Sequence, residues 1–371
     1  MLPVYLGFVT LVLALLALDL GVLNRKAHVI GVKEALGWSA LWIGVGLAFG
    51  AFVYFGYEHH WFGLGLNPDL MVENPEVVAG SAVYNDGASA LTKYLTGYLV
   101  EKSLAIDNIF VIAIIFASFG VPAIYQHRVL FWGIVGALLM RGVMIAVGAQ
   151  LLAEVSWIIY VFGGFLIITG VKMLVVKGGA TDLGRHPLVR FARRLMPISE
   201  RFHGQHFFLR AGSAAAEEAA TPGAAREVDS VLARARRGAL IATPLFLALL
   251  MIELTDLVFA VDSIPAIFAI TGDSFLVFAS NVMAMLGLRS LYFALAGLMD
   301  RFKYLKVSLA AVLMLVGTKM MIHGWLKSWM GPHFNLYLLG AILGILAAGV
   351  VVSLLATRKR PPVARLERSA S

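Results

Sequence analysis

An all-α polytopic membrane protein is the fold class this sequence predicts, and three observations predict it. Of the 371 residues, 60% are hydrophobic and only 14% are charged, with a mean hydropathy of +0.84, a balance foreign to soluble domains. Apolar runs of about 20 residues recur along the chain, the length that crosses roughly 30 Å of hydrocarbon at 1.5 Å per helical residue. Lys/Arg-rich connections alternate with acidic ones.

Nine transmembrane helices are predicted, at 3–23, 36–57, 91–118, 127–150, 155–176, 239–270, 275–297, 305–326 and 334–356. The first run has neither a basic leader nor a small-residue cleavage site, and Arg25, Lys26 and Lys33 follow it, so a retained helix is expected rather than a signal peptide. Short basic loops stay cytoplasmic. Arg25 and Lys26 after helix 1, Lys177 to Arg194 after helix 5, Arg301, Lys303 and Lys306 after helix 7, and Arg358, Lys359 and Arg360 after helix 9 would therefore lie inside. Residues 58–92 carry Glu58, Asp69, Glu73, Glu76 and Asp86 without a Lys or Arg, and the connections near Glu154 and Asp273 are acidic as well. The expected topology is N-out, C-in. The chain divides into two N-terminal helices (1–58), an acidic extracytoplasmic loop (59–90), a first three-helix unit (91–176), a basic linker (177–238), a second three-helix unit (239–326), and a ninth helix with a basic tail (327–371).

The net charge of +8 is explained by cytoplasmic loops that face an anionic leaflet, and nucleic acid is not an expected partner. With zero cysteines, the chain has no disulfide framework and no thiolate ligand. The linker, Arg-rich with an Ala/Gly-rich stretch at 211–225, reads as partly disordered. His203 and His206 within it have metal-ligand spacing but read as ordinary solvated histidines.

The two three-helix units share an ordered series of residues. EKSLAIDN at 101–108 corresponds to DLVFAVDS at 256–263, and Arg141 corresponds to Arg289. Thr169-Gly170-Val171-Lys172-Met173 corresponds to Val316-Gly317-Thr318-Lys319-Met320, and Arg-to-Lys spacings are 31 and 30 residues. Three crossings per unit insert the second copy upside down, an inverted repeat of the kind that builds many secondary transporters around a midplane site.

An acid at the centre of a spanning helix costs roughly 2.5–3.5 kcal/mol even on lenient insertion scales, so Glu101, Asp107, Asp256 and Asp262 mark an ion or proton path. A six-residue step rotates the side chain by about 240° and climbs about 9 Å, so an ideal helix separates Asp256 from Asp262. Pro265, which removes an amide donor beside Asp262 and Ser263, is the expected place for a helix break that frees carbonyl ligands. Glu253 shares a face with Asp256 and adds a fifth carboxylate. Ion pairing with Arg141, Arg289, Lys172 or Lys319 could satisfy about two of the acids, although Lys172 and Lys319, near helix ends, are expected to snorkel. Asp19 reads either as part of an inner entry or as an interfacial ion pair, and Asn281 either as a ligand or as an interhelical hydrogen bond. The oxygen-only inventory, with Asn108 and Ser263, selects hard divalent cations such as Mn²⁺, Mg²⁺ or Ca²⁺. Carboxylates that titrate on desolvation would let cation release couple to proton uptake.

At 101–116, at 253–273 and in the Ser280-Asn281 and GLRSLYF (287–293) segments, the sequence resembles the TerC/Alx family of bacterial integral membrane proteins. The match is densest in DSIPAIFAIT at 262–271 and in Asp107-Asn108. The resemblance implies a multi-pass protein of the bacterial inner membrane, grouped with LysE-type exporters, associated with tellurium resistance and alkaline pH response, and implicated in manganese export. It carries over Glu101, Asp107, Asn108, Asp256, Asp262 and Ser263 as the residues lining the cation path.

The expected function is therefore a secondary transporter that exports Mn²⁺ or a similar hard divalent cation through paired carboxylates, with proton antiport as a hypothesis. The alternatives are a non-transporting scaffold that aids metallation or insertion of other proteins, and tellurite resistance by ion efflux, which acidic helices disfavour. No enzymatic activity and no resident cofactor are expected. The partners are the divalent cation and membrane lipid, with association into a homo-oligomer left open.

Overall fold

The computed structural model describes residues 2–21, 31–69, 72, 75–78, 81–155, 157–175, 187–199, 201–211, 231, 236, 238–296, 305–322 and 334–358. In chain order the helices are α1 (Leu2–Gly21), α2 (Val32–Glu58), α3 (Gly87–Phe119), α4 (Ala123–Glu154), α5 (Ile158–Val175), α6 (Pro187–Leu195), α7 (Pro244–Phe268), α8 (Ser274–Met285), α9 (Leu288–Ala296), α10 (Leu305–Met321) and α11 (Phe334–Arg358). Two short antiparallel hairpins accompany them: β1 (Glu76–Val78) with β2 (Ser81–Val83), and β3 (Phe208–Arg210) with β4 (Leu240–Ala242). Of the basic loop residues, Arg25, Lys26, Lys177, Arg185, Arg301, Lys303, Lys359 and Arg360 lie outside the described residues, as does 212–230 of the linker.

The protein is an all-α polytopic membrane protein. Among the described residues, six helices (α1, α2, α4, α5, α7 and α11) are long and apolar enough to cross a bilayer, and a seventh span results if α8 and α9, bent by 43°, count as one. The polarity is that of a membrane protein. Large apolar residues such as Leu139, Val143, Val147 and Ile168 point outward, while Glu101, Arg141, Asn281 and Lys319 are buried between helices. A water-soluble protein would not expose so continuous an apolar surface.

Local chemistry sets the helix ends. Asp86 caps α3 by accepting from Ser89 N at 2.7 Å, and Asp273 caps α8 by accepting from Phe275 N at 2.9 Å and Leu276 N at 3.3 Å. Gly120, with φ +64°, closes α3, and Val121 N donates to Phe116 O behind it. The expected break at Pro265 is not found. Helix α7 runs through it to Phe268, because a proline in the last turn forfeits a single bond and its own carbonyl still accepts from Ala269 N at 2.9 Å. The chain breaks instead at Leu286-Gly287. Gly287 takes φ +76° there, and a methyl group on it would lie 2.4 Å from Trp42 Cβ of α2, so a side chain has no room.

The packing places α3 and α7 together at the centre, α4 against α7, α8 against α3, and α5 against α10. Part of the linker is ordered. Helix α6 packs on α7, Val189 and Ala192 join the core, Arg128 lies 5.6 Å over the Phe207 ring, and Phe208 meets Phe246 at 4.6 Å. His203 is not solvated as expected. It is buried and lies 2.7 Å from Ser199 Oγ, whereas His206 is exposed.

Candidate functional site

Where α3, α4, α7 and α8 cross, Arg141 of α4 projects into the bundle with 1% of its surface exposed. Its Nε and Nη2 donate to the two oxygens of Asp256 on α7, at 3.1 and 3.0 Å, in the two-pronged geometry that fits a carboxylate. Its Nη1 donates to Glu101 of α3, and also approaches Ser263 Oγ at 3.3 Å and Asn281 Oδ1 of α8 at 3.4 Å. Asn108, two turns after Glu101 on α3, reaches Asp256 at 3.5 Å. Desolvating these charges is expensive, and Arg141 compensates two carboxylates with one guanidinium. The hydrogen bonding is incomplete, since Glu101 Oε2, Asn108 Oδ1 and Asn281 Nδ2 are buried without a partner among the described residues.

A narrow crevice leads to Asn108 and Asp256, lined by Gly133, Ala137, Thr255 and Met285 among others. The space open to water centres is ≈ 20 Å³, room for about one water. Glu253, a turn before Asp256, is half-buried, and its carboxyl lies against Gly136 of α4, where any side chain would collide with it.

Asp262 does not join this cluster. It is half-buried and faces α5, where Thr169 Oγ1 donates to it at 3.2 Å and the charge of Lys172 is felt. The helical rotation that separates Asp256 from Asp262 is thus realised in the structure. Asp107 lies on α3 one residue before Asn108, with its side chain outside the described residues. Among the described residues, no group of three or more Asp, Glu or His side chains is arranged to hold a metal ion.

The remaining candidates separate into two further sites. Asp19 pairs with Arg289, Oδ1 to Nη2 at 3.0 Å, which favours the ion-pair reading of Asp19. Lys172 is exposed, as a snorkelling lysine would be. Lys319 is not. It is buried and donates to Ala269 O at the carbonyl end of α7, where backbone oxygens and the helix dipole favour a cation.

Two buried arrangements escaped the sequence. Lys102 donates to Ala284 O at 3.0 Å and Leu286 O at 3.1 Å, at the α8–α9 break. A lysine inside an apolar helix, adjacent to Glu101, was the available signal. Asp69, between α2 and α3, is buried and accepts from Lys93 Nζ (2.9 Å), Asn85 Nδ2 (3.1 Å), Thr271 Oγ1 (2.7 Å) and Gly272 N (2.7 Å). Beside it, Asp273 accepts from Tyr57 OH at 2.9 Å. Burial and the neighbouring Asp69 charge push the Asp273 carboxyl up to about 6.

Comparison with known proteins gives a consistent picture. A profile described as the integral membrane protein TerC family matches residues 86–361. An uncharacterised membrane protein of Myxococcus xanthus is 45% identical over 96% of this chain and 93% of its own length. A protein of Escherichia coli K12 described as the putative membrane-bound redox modulator Alx is 38% identical over 94% of this chain and 92% of its own. The Salmonella typhi protein of the same description is also 38% identical, with the same coverage. No solved structure matches.

Proposed function

Because the chain belongs to the TerC family of integral membrane proteins, we propose that it is a secondary transporter that exports hard divalent cations, manganese first among them, from the cytoplasm. The observation that carries this reading is the buried oxygen cluster of Glu101, Asp256, Asn108 and Ser263, in which two acceptor oxygens have no partner. Oxygen ligands with excess negative charge suit Mn²⁺ and repel an oxyanion such as tellurite. Asp107 and Asp262, each six residues after the first acid of its motif, serve as further stations on the path.

The packing supports an inverted repeat. If α3–α5 correspond to α7–α10, exchanging the units turns the α3–α8 contact into the α7–α4 contact, and both occur. Residue contacts follow the same exchange. A methyl group on Gly170 would lie 2.9 Å from Ala310 O, and one on Gly317 would lie 2.7 Å from Gly163 O; with Gly170 matched to Gly317 and Ala310 to Gly163, these are the same contact seen from the two halves. Counting α3 and α10 as spans gives nine crossings, with the basic loops inside, in a bacterial inner membrane. Proton uptake by the carboxylates on cation release would make the cycle an antiport. The redox description attached to the relatives finds no thiol here to act through, since the 371 residues contain no cysteine.

The test is flux. Purified protein in liposomes is expected to carry radiolabelled manganese down an imposed gradient, and Asp107→Asn and Asp256→Asn are each expected to abolish that flux in protein that still elutes as a folded species. Unchanged flux in both variants would discard the site; absent flux in the wild type would favour a non-transporting scaffold.

A further inference from the structure

We propose that Arg141 is a tethered cation that competes with the transported one for the same carboxylates, so that the site alternates between an arginine-held and a metal-held state. This rests on the transporter reading and adds its means of control. The guanidinium spans both oxygens of Asp256, one of Glu101, and the side chains of Ser263 and Asn281. Those groups are the ones a divalent ion would need. Two atoms nevertheless remain unused, Glu101 Oε2 and Asn108 Oδ1, both acceptors and both buried. A guanidinium carries one charge and only donates in its plane; against two carboxylates it leaves a negative remainder and oxygens it does not reach. A divalent ion with six or more oxygen ligands would take up both.

The same solution recurs at two buried carbonyl ends nearby. Lys102 occupies Ala284 O and Leu286 O at the α8–α9 break, and Lys319 occupies Ala269 O at the end of α7. Oxygen-rich places in the bundle that would otherwise attract a cation are thus held by the protein's own.

Between α4 and α7 the open space next to the cluster is small. Ala137, one turn earlier on α4, and Gly133, two turns earlier, line a crevice that holds about one water. Turning the guanidinium into that crevice requires α4 and α7 to separate, which ties cation binding to a change of helix packing. With the cation gone, Arg141 neutralises most of the site, and the carrier can return without carrying two bare carboxylates through low dielectric.

Manganese binding is then expected to expose Arg141. In wild-type protein shown by equilibrium dialysis to be loaded with radiolabelled manganese, phenylglyoxal labelling of the Arg141 peptide, read by mass spectrometry, is expected to rise relative to metal-free protein. Removing the competitor with Arg141→Gln is expected to tighten manganese binding by roughly tenfold or more, since apparent affinity is reduced by the fraction of sites already occupied. Net efflux should slow in that variant, and Arg141→Lys should restore wild-type affinity. Loaded protein in which Arg141 labelling is unchanged or slower overturns the tethered-cation role and leaves the transporter reading standing, as does a folded Arg141→Gln that binds manganese no tighter. Wild-type protein that binds no manganese overturns the transporter reading, and this role with it. The labelling experiment decides the matter even if Arg141→Gln does not fold.

Discussion

Replacing Asp69 with alanine removes the acceptor that ties the α2–α3 loop to α3 and to the α7–α8 connection. Four donors converge on it: the Lys93 ammonium of α3, the Asn85 amide, the Thr271 hydroxyl and the Gly272 backbone N–H. Lys93 is 3% exposed, so the substitution leaves a buried charge without its counter-ion. Breaking a buried ion pair from one side costs about 3–5 kcal/mol, mostly as the penalty on the charge left behind. Thr271 and Gly272 would each add up to about 1–3 kcal/mol as orphaned donors unless water reaches them. The double variant Asp69→Asn/Lys93→Met is different: it removes both charges, the asparagine oxygen can still accept from Gly272 N, and its amide NH2 can donate to the Thr271 hydroxyl. It is expected to lie within about 2 kcal/mol of wild type, giving a coupling energy of at least about 2 kcal/mol in the cycle. The four corners are wild type, Asp69→Asn, Lys93→Met and the double variant, measured alongside Asp69→Ala by unfolding of the full chain in detergent, titrated with denaturant and followed by fluorescence. Asp69→Ala costing less than about 1 kcal/mol, or a double variant whose loss is the sum of its singles, would refute the reasoning.

Three further outcomes are expected. Gly317→Ala puts a methyl group 2.7 Å from Gly163 O at the α5–α10 seam, an overpacking worth about 1–3 kcal/mol, whereas Gly164→Ala meets no atom within 4 Å and should be neutral or slightly stabilising; melting temperatures in one detergent compare them. Asp273, pushed up to about 6 by burial and by Asp69, binds its proton more tightly folded than unfolded, so its contribution to stability is fully present below about pH 4 and is lost as pH rises through 6, a change of about 3 kcal/mol. Asp273→Asn should flatten that part of the stability profile, and an unchanged slope would contradict it. Asp262→Asn, which keeps an oxygen facing Thr169, should slow manganese flux yet retain equilibrium manganese binding at the Arg141 cluster; loss of binding would place Asp262 inside that cluster.

What the sequence disclosed followed from regular spacing and from cost. Apolar runs of spanning length have few folds open to them, and acids within such runs have few places to go, so Glu101 and Asp256 were recognisable as buried and Arg141 as a candidate to pair with them. The 240° rotation between Asp256 and Asp262 was likewise calculable, and it recurs as two separate surroundings. Gly287 was harder to see: one of 37 glycines, it is singled out only by Trp42 packing against it from α2. Pro265, the more conspicuous residue, falls where the helix is about to end and so breaks little. Lys319 looked free to snorkel because it sits near a helix end, yet the end of a different helix, at Ala269, supplies its carbonyl. The Asp69–Lys93 pair joins a loop to α3 across 24 residues, a separation at which no local pattern records a contact.

The most direct measurement of the central claim is an anomalous difference map, at the manganese absorption edge, from crystals of the protein equilibrated with manganese. A single strong peak among Glu101, Asn108, Asp256 and Ser263, with oxygen ligands and with Arg141 turned away from Asp256, is the expected result. A map at saturating manganese that shows Arg141 still paired with both carboxylates and no peak between α3 and α7 would contradict it.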